Sequence, residues 1–325
     1  MAQNTTISYV HHSWSGWRGC QHAALPDGTE HAGCQNCFAE AMSKRNPTVL
    51  GTWGPDGTRV RPADAYWKQP IKWDRLAEEA GERRRVLWDF SDPFEDWQGT
   101  ILDHKGETVW RDTPLLESKL QPITMSDLRR DAFALIDQTP NLDWLLLTKR
   151  PWNVRKMWPC RECGRTLDTP CLYASKTARR ENVWLGVSVS DQQSADQLLP
   201  ELLKLRDLVR VLFVSVEPLV KPVDLSNLTW DTHNAHGPRH ITVDALHGRQ
   251  GAGYSDDGPR LDWVIVGGES GPRRRPCGIE WIQSLADQCK SANVPCFIKQ
   301  DSALWPGQQG LIPDDLWAVK EFPDA

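Results

Sequence analysis

The chain has 325 residues, of which 39% are hydrophobic and 25% are charged, and its formal net charge is -5. This composition is typical of a soluble globular protein and excludes a disordered, fibrous or uniformly basic chain. The sequence contains neither a secretory signal nor an apolar run approaching the roughly 20 residues that span a bilayer, so we expect a cytoplasmic protein without a membrane partner.

Short apolar runs alternate with helical patterns along the chain. Runs bounded by polar or turn residues predict buried strands at 86–90, 144–148, 183–189, 211–216, 263–266 and 295–299. Apolar residues at helical spacing predict helices within 128–136, 198–203 and 279–289. The alternation indicates right-handed βαβ units and a parallel sheet. We predict an α/β fold, a partial or complete (βα) TIM-like barrel, as one decorated domain over residues 1–325.

Three stretches interrupt this alternation and are predicted to be insertions. They cover residues 51–73, a basic cysteine-containing segment at 151–182, and a segment rich in Gly and His at 223–261. Structureless loops of this size are uncommon in compact domains, so we expect lids, binding loops or a small subdomain.

A cluster of three cysteines near the N-terminus is the strongest chemical signal. Cys20, Cys34 and Cys37 have the spacing C-x13-C-x2-C. Three thiolates can hold one [4Fe-4S] cluster and leave one iron open for a substrate or cofactor. A structural zinc site would need a fourth ligand. Histidines close in sequence could supply it, and coincidental burial of the thiols is a further alternative; the histidines are His11, His12, His22 and His31.

Charged residues follow several predicted strands. In a barrel the carboxyl ends of the strands meet at one mouth, where chemistry is normally found. We therefore expect Asp92, Lys149, Glu217 and Lys299 to contact substrate or cofactor as candidate catalytic residues. A structural ion pair between Glu217 and either lysine is the alternative.

Motifs along nearly the whole chain resemble a phage-associated three-cysteine-motif family of uncharacterised proteins, which is similar to radical S-adenosylmethionine enzymes. The resemblance begins with Gly19-Cys20 and with the Gly-Cys-x-x-Cys-aromatic-Ala element at 33–39. It continues through segments at 90–94, 147–151, 182–191, 214–219, 262–271 and 297–300.

The resemblance implies an S-adenosylmethionine site. Gly267, Gly268 and Glu269 are similar to the Gly-Gly-Glu element that holds the amino group of this cofactor, and Ser188 lies in another matching segment. Two glycines allow close backbone approach, and a carboxylate can accept an ammonium group. A tight turn with a solvated Glu269 is the alternative.

The basic insertion contains a second group of cysteines. Cys160 and Cys163 have the form of a zinc knuckle, and Cys171 is the nearest third ligand, although no fourth is evident. Nine basic and two acidic residues lie between Lys149 and Arg180. Such a segment could contact nucleic acid, although a solvated face is the common alternative. The candidate contacts are Arg150, Arg155, Lys156, Arg161, Arg165, Arg179 and Arg180.

These observations lead to one main hypothesis and two alternatives. The main hypothesis is a radical S-adenosylmethionine-type iron-sulfur enzyme that modifies or repairs a nucleic acid or nucleotide, in a bacterial or phage-infected cell, with an electron-donor protein and a further partner protein as candidate partners. The alternatives are a zinc-stabilised nucleic-acid-binding protein without redox chemistry and a zinc-dependent nucleotide enzyme.

Overall fold

A seven-stranded parallel sheet forms the centre of the chain, whose computed structural model describes residues 5–113, 119–166, 178–234, 237–251 and 258–324. The order of the strands in the sheet is their order along the chain. The strands are β1 (His12–Trp14), β2 (Arg84–Trp88), β3 (Leu142–Thr148), β4 (Arg180–Val189), β5 (Val209–Val216), β6 (Trp263–Gly267) and β7 (Cys296–Gln300).

The sheet curls into a half barrel. Each new strand is added on the same side of the previous one, and within the described residues β1 and β7 remain unpaired edges. The predicted α/β class is therefore confirmed, and the sheet is consistent with a partial (βα) barrel. All six predicted strands are present. The sequence reading missed β1, because three residues are too few for a periodic signal.

Helices connect the strands and cover the outer face of the sheet. The three predicted helices are present as α5 (Met125–Asp137), α7 (Gln192–Leu203) and α8 (Ile279–Ala292). Thr124 and Asp191 form capping boxes at the starts of α5 and α7, so Asp191, which follows β4, acts as a helix cap. The helices are α1 (Phe38–Ser43), α2 (Pro47–Leu50), α3 (Asp64–Trp67), α4 (Gln69–Ala80), α5 (Met125–Asp137), α6 (Pro151–Met157), α7 (Gln192–Leu203), α8 (Ile279–Ala292) and α9 (Asp314–Trp317).

The predicted insertions contain regular structure. Strand Arg59–Arg61, helix α3 and the start of α4 lie within 51–73, and α6 opens the segment 151–182. Within 223–261, three strands form an antiparallel sheet: Leu228–Asn234, Gly237–Asp244 and Arg249–Gln250. Two further pairs join Arg59–Arg61 to Ile101–Asp103 and Trp110–Thr113 to Lys119–Pro122. No helix among the described residues is long and apolar enough to cross a membrane.

The two faces of the sheet bury two separate cores. Alternate residues of each strand face the helices, and the others face the interior of the half barrel. Near the amino ends of the strands this interior is filled by aromatic rings, including Trp184, Phe213 and Trp263. Gly186 is needed there, because a Cβ would lie 2.5 Å from the Phe213 ring. Further along the strands the interior side chains become polar and line a cavity.

Candidate functional site

A cavity of about 300 Å³ lies at the carboxyl ends of the sheet strands, beneath the loop that carries the three N-terminal cysteines. It brings together residues that are up to 293 positions apart in the chain, since Ile7 and Gln300 both line it. Gly267 is the one predicted residue of this site that does not line the wall. The predicted residues in the wall are Cys20, Cys34, Cys37, Asp92, Lys149, Arg150, Ser188, Glu217, Gly268, Glu269 and Lys299.

Asp92 and Arg150 attach the loop around Cys20 to the sheet. One Asp92 oxygen, Oδ2, accepts a hydrogen bond from Arg150 Nη1 at 2.8 Å, and Arg150 Nη2 donates to the carbonyl of Gln21 at 3.0 Å. The other oxygen accepts from the Thr148 hydroxyl at 2.7 Å. Both charged side chains are buried. Asp92, predicted as a catalytic candidate, therefore positions the residue next to Cys20.

His31 attaches the turn that leads to Cys34. Its Nε2 lies 2.8 Å from the Ser188 carbonyl, and its Nδ1 accepts a hydrogen bond from the Gly33 amide at 3.0 Å. Burial, together with the positive charge of Lys149, lowers the pKa of His31 to about 3. The imidazole is therefore neutral at physiological pH, with the Nε2 proton directed to the carbonyl.

Glu269 and Arg275 attach the turn from Ala32 to Asn36, which contains Cys34. Arg275 Nη2 lies 2.7 Å from Glu269 Oε1 and donates to the Ala32 carbonyl at 2.9 Å. Asn36 Nδ2 donates to Glu269 Oε2 at 3.1 Å. Burial would raise the pKa of Glu269, but the hydrogen bonds from Arg275 and Asn36 lower it below its ordinary value. Glu269 is thus paired within the protein rather than solvated. The neighbouring Gly268 packs on backbone, since its Cβ would lie 2.5 Å from the Ser302 nitrogen.

Glu217 and Lys299 form an ion pair in the cavity wall. Lys299 Nζ lies 2.7 Å from Glu217 Oε1, and the Ser215 hydroxyl donates to the other carboxylate oxygen at 3.1 Å. The Ser188 hydroxyl donates to the Glu217 carbonyl at 2.9 Å. Gly267 lies against this pair, because its Cβ would lie 2.8 Å from Glu217 Oε1. The two residues form the ion pair that the sequence left open as an alternative to catalysis.

The three thiols share the cavity, but they are not gathered into a ligand set. In the part of the chain that the structure describes, no group of three His, Cys, Asp or Glu side chains lies at metal-binding distances. Burial raises the pKa of the Cys20 thiol and that of the Cys37 thiol, and for Cys37 the charge of Lys149 opposes this effect. Binding of a metal by these thiols would therefore release protons.

The histidines proposed as a fourth zinc ligand have other roles. Both ring nitrogens of His31 bond to backbone groups, and those of His22 lie 2.7 Å and 3.1 Å from carboxylates of Glu30 and Glu40. His11 Nδ1 accepts from the Arg85 amide near the amino end of β2, and His12 stacks on Trp73. In the described structure, each of these four histidines is therefore engaged in contacts other than with the three thiols.

Comparison with known proteins gives one match. A family model described as a protein of unknown function (DUF5131) matches residues 4–309. The chain belongs to this family. No curated protein and no solved structure matches the chain.

The sequence analysis of this DUF5131 chain did not identify Asp89, which lines the cavity. It follows β2 and faces the cavity two positions after Leu87, so the alternation of the strand was the available signal. Its Oδ1 atom is buried and has no hydrogen-bond partner. Burial raises the pKa of Asp89 to about 6, although the Ser13 hydroxyl and the charge of Arg18 oppose the shift. The partners of Asn36 and Arg275 were also missed, because they lie more than 200 positions away or on the other side of a turn.

The predicted basic surface is largely neutralised. Five of its seven residues have carboxylate partners, and Arg150 and Arg180 are buried. The count of charges between Lys149 and Arg180 missed these carboxylates, since all of them lie outside that segment. Among the described residues, Lys156 and Arg165 have no ion pair. The five pairs are Arg150 with Asp92, Arg155 with Asp207, Arg161 and Arg180 with Asp137, and Arg179 with Glu181.

Cys160 and Cys163 lie on a tight turn. The Cys160 amide donates to the Arg165 carbonyl at 2.7 Å, and the Gly164 amide donates to the Cys160 carbonyl at 2.9 Å. Gly164 has a φ of 67°, a conformation that favours glycine. Cys160 is buried and Cys163 is exposed. Cys171, the predicted third ligand, lies outside the described residues.

We predict that Arg275→Met will loosen the cysteine loop, because it removes the hydrogen bonds to Ala32 and to Glu269 and leaves the Glu269 carboxylate buried without its cation. Alkylation of Cys34 by iodoacetamide, followed by mass spectrometry, should become faster than in the wild type. Arg273→Met is the matched control, because among the described residues this exposed arginine has no ion pair. Equal protection of Cys34 in all three proteins would contradict the proposed attachment.

We predict that Asp89→Asn will stabilise the protein without ligand. A folded-state pKa raised to about 6 means that the folded state loses stability as pH rises from about 4 to 6, and asparagine removes this loss. The free energy of unfolding in urea should rise by about 3 kcal/mol at pH 8, and by about half as much at pH 5. The exposed Asp56→Asn is the control. A variant less stable than the wild type at both pH values would contradict the analysis.

Proposed function

We propose that this chain is a radical S-adenosylmethionine-type iron-sulfur enzyme in which Cys20, Cys34 and Cys37 hold a [4Fe-4S] cluster. The observation that carries the proposal is the position of the three thiols on one polar cavity at the carboxyl ends of a partial barrel. Active sites of barrel enzymes lie at this end. The motif resemblance along the chain gives independent support.

The donor set suits a cluster better than a structural zinc ion. A structural zinc site has four protein ligands as a rule, whereas the candidate histidines here bond to other groups or stack on Trp73. Three cysteines leave one iron of a [4Fe-4S] cluster open. When bound there and reduced by one electron from a donor protein, S-adenosylmethionine would supply a radical that removes a hydrogen atom from the substrate.

The chain itself would position the cysteine loop and exclude water from one side of the cavity. The pairs Asp92–Arg150 and Glu269–Arg275 hold the two parts of the cysteine loop against the strand ends. The aromatic interior below the cavity excludes water from that side, which protects a reactive species from side reactions. The Glu217–Lys299 pair keeps both charges neutralised in the wall. The cofactor would supply the radical chemistry, and the protein would orient the cofactor and the substrate.

The proposed substrate is a nucleotide or a single nucleotide of a nucleic acid, handled in the cytoplasm. A cavity of about 300 Å³ is at the small end of ligand sites. Exposed cations without ion pairs among the described residues lie in the basic segment and after the Gly-Gly-Glu turn, and they support contact with phosphates: Lys156, Arg165, Arg273 and Arg274. The neutralised arginines give no such support. The weight of the proposal therefore rests on the cavity rather than on the basic segment.

A zinc-stabilised protein, either a nucleic-acid binder or a zinc-dependent nucleotide enzyme, is the second candidate. The turn at Cys160 and Cys163 favours zinc at that site, because two thiols and a left-handed glycine are typical of a zinc knuckle. Zinc there is compatible with a cluster at the first site, so only the metal at the N-terminal cysteines separates the two candidates.

Metal analysis tests the proposal. We predict about four iron and four sulfide ions per chain after anaerobic purification or reconstitution, the content of one [4Fe-4S] cluster. The Cys34→Ser, Cys37→Ser double variant should lose the iron and the visible absorption. Cys277→Ser is the control, because this thiol lies outside the cavity wall, and it should keep both. Zinc without iron in the reconstituted wild type, lost in the double variant, would overturn the cluster and favour the second candidate.

A further inference from the structure

A small surface at the mouth of the cavity combines exposed apolar and cationic side chains. It lies on the two segments that follow β6 and β7, and we call it the mouth patch. Trp305 is its largest member, and 66% of the surface of this residue is exposed. Aromatic and arginine side chains that share an exposed patch are typical of a binding surface. The mouth patch consists of Arg273, Arg274, Leu304 and Trp305.

Hydrogen bonds fix the loop that carries Trp305. The Leu311 amide donates to the buried carboxylate of Asp301 at 2.8 Å, which closes the loop on itself. The Gly307 amide donates to Gln300 Oε1 at 2.9 Å, and Gln300 lines the cavity. The loop is therefore anchored at the cavity, and the fold itself leaves the indole ring of Trp305 exposed.

Arg273 and Arg274 are held beside this loop, on the turn that follows β6. Both side chains are exposed, and neither has an ion pair among the described residues. Two hydrogen bonds join the turn to the loop, one on each side of the arginine pair. They run from the Gly271 amide to the Ala303 carbonyl at 3.0 Å and from the Ser302 hydroxyl to the Arg275 carbonyl at 2.9 Å. The two cations and the indole ring therefore share one surface.

The other side of the mouth is acidic. A groove beside α7, which follows β4, has three residues in common with the cavity wall. Four carboxylates line this groove, whereas its one lysine or arginine among the described residues is Arg150, which is buried in its pair with Asp92. A polyanion is therefore repelled from the groove and attracted to the mouth patch. The carboxylates belong to Asp27, Asp96, Asp196 and Glu201, of which the last pairs with Lys204.

We infer that the mouth patch binds single-stranded nucleic acid, with a base stacked on Trp305 and phosphates bound by Arg273 and Arg274. Aromatic rings that stack on bases, together with cations that contact the backbone, are the two elements of sites for single strands. The planar guanidinium group also suits the geometry of a phosphate. A duplex fits this surface less well, because its bases are stacked on one another and do not reach an indole ring on the protein.

The inference deepens the proposed function, on which it rests for the fate of the bound strand. Gly268, Glu269 and Ser270 line the cavity and lead directly to the turn of the mouth patch. A strand bound at the patch therefore brings a neighbouring nucleotide to the cavity. This favours a nucleotide within a strand over a free nucleotide as the substrate. DNA and RNA share this chemistry and differ in the 2′-hydroxyl group, so the experiment includes both.

Fluorescence anisotropy of the full chain with labelled oligonucleotides tests the inference, both as purified and after anaerobic reconstitution. The probes are single-stranded DNA and RNA of about 12 nucleotides and the corresponding DNA duplex. We expect at least one single strand to bind more tightly than the duplex. Trp305→Ala should weaken that binding about tenfold, and Trp305→Phe should retain most of it, because the phenyl ring still stacks. Trp110→Ala is the matched control, because this tryptophan is 53% exposed and lies on a hairpin outside the mouth patch.

The Arg273→Met, Arg274→Met double variant tests the phosphate contacts. It should weaken single-strand binding and make the slope of log affinity against log salt shallower by about 1.4, because each phosphate contact contributes about 0.7. Trp305→Ala should leave this slope unchanged. The control is the Arg210→Met, Lys290→Met double variant, which removes two exposed cations from a pocket at the amino ends of the strands.

Two results would overturn the inference. One is equal affinity for the duplex and for both single strands. The other is wild-type affinity for the single strands in the mouth-patch variants. Together with a loss of binding in a Lys156→Met, Arg165→Met double variant, that result would assign the strand to the basic insertion, and without such a loss it would leave the patch to a protein partner.

The metal content separates this inference from the proposed cofactor. The absence of oligonucleotide binding in protein that holds the cluster would contradict the inference alone. Binding that depends on Trp305, in protein that holds zinc without iron after reconstitution, would support the inference and contradict the cluster. The two failures are thus distinguishable.

Discussion

The attachment of the cysteine loop to the carboxyl ends of the parallel strands is the constraint on which the cavity depends. The loop contains little regular structure of its own, so its shape is determined by what it bonds to. Charged or polar side chains from the loop and from the strand ends meet in buried hydrogen bonds at three points. These are Arg150 on the Gln21 carbonyl, His31 on the Ser188 carbonyl, and Arg275 on the Ala32 carbonyl.

These attachments explain why so many charges lie at one end of a half barrel. A buried ion pair is weak evidence for stability, because desolvation opposes the attraction, but removal of one partner is strongly destabilising. Asp92 and Glu269 each hold an arginine that in turn holds the loop. The roles of Asp92 and Glu269 are therefore structural, and Asp89, Lys149 and the three thiols line the same cavity. The aromatic interior below closes the cavity on the side away from the loop.

Much of the fold could be predicted because buried parallel strands have a strong local signal. The apolar runs of β2 to β7 and the periodic faces of α5, α7 and α8 appear directly in the sequence, whereas β1 is too short to do so. The meeting of the cysteines with Lys149, Glu217 and Lys299 followed from the rule that strand ends share one mouth.

The hydrogen-bond and ion-pair partners of the site residues could not be predicted from local sequence patterns. Arg275 and Asn36 contact Glu269 through tertiary structure that no spacing reveals, and the arginines of the basic segment find carboxylates such as Asp137 and Asp207 outside it. Asp89 and Asp92 both follow β2, but the sequence analysis singled out only Asp92. The two residues differ in their burial and in their hydrogen-bond partners, which are properties of the folded chain.

The central claim is that three cysteines hold a cluster whose fourth iron is open to a ligand. Electron paramagnetic resonance of the reconstituted, dithionite-reduced protein tests it most directly, with spectra recorded before and after addition of S-adenosylmethionine. We predict the signal of a reduced [4Fe-4S] cluster whose g values shift when S-adenosylmethionine is added, because a new ligand reaches the open iron. A cluster signal that S-adenosylmethionine leaves unchanged, or no cluster signal in protein that contains zinc, would contradict the account.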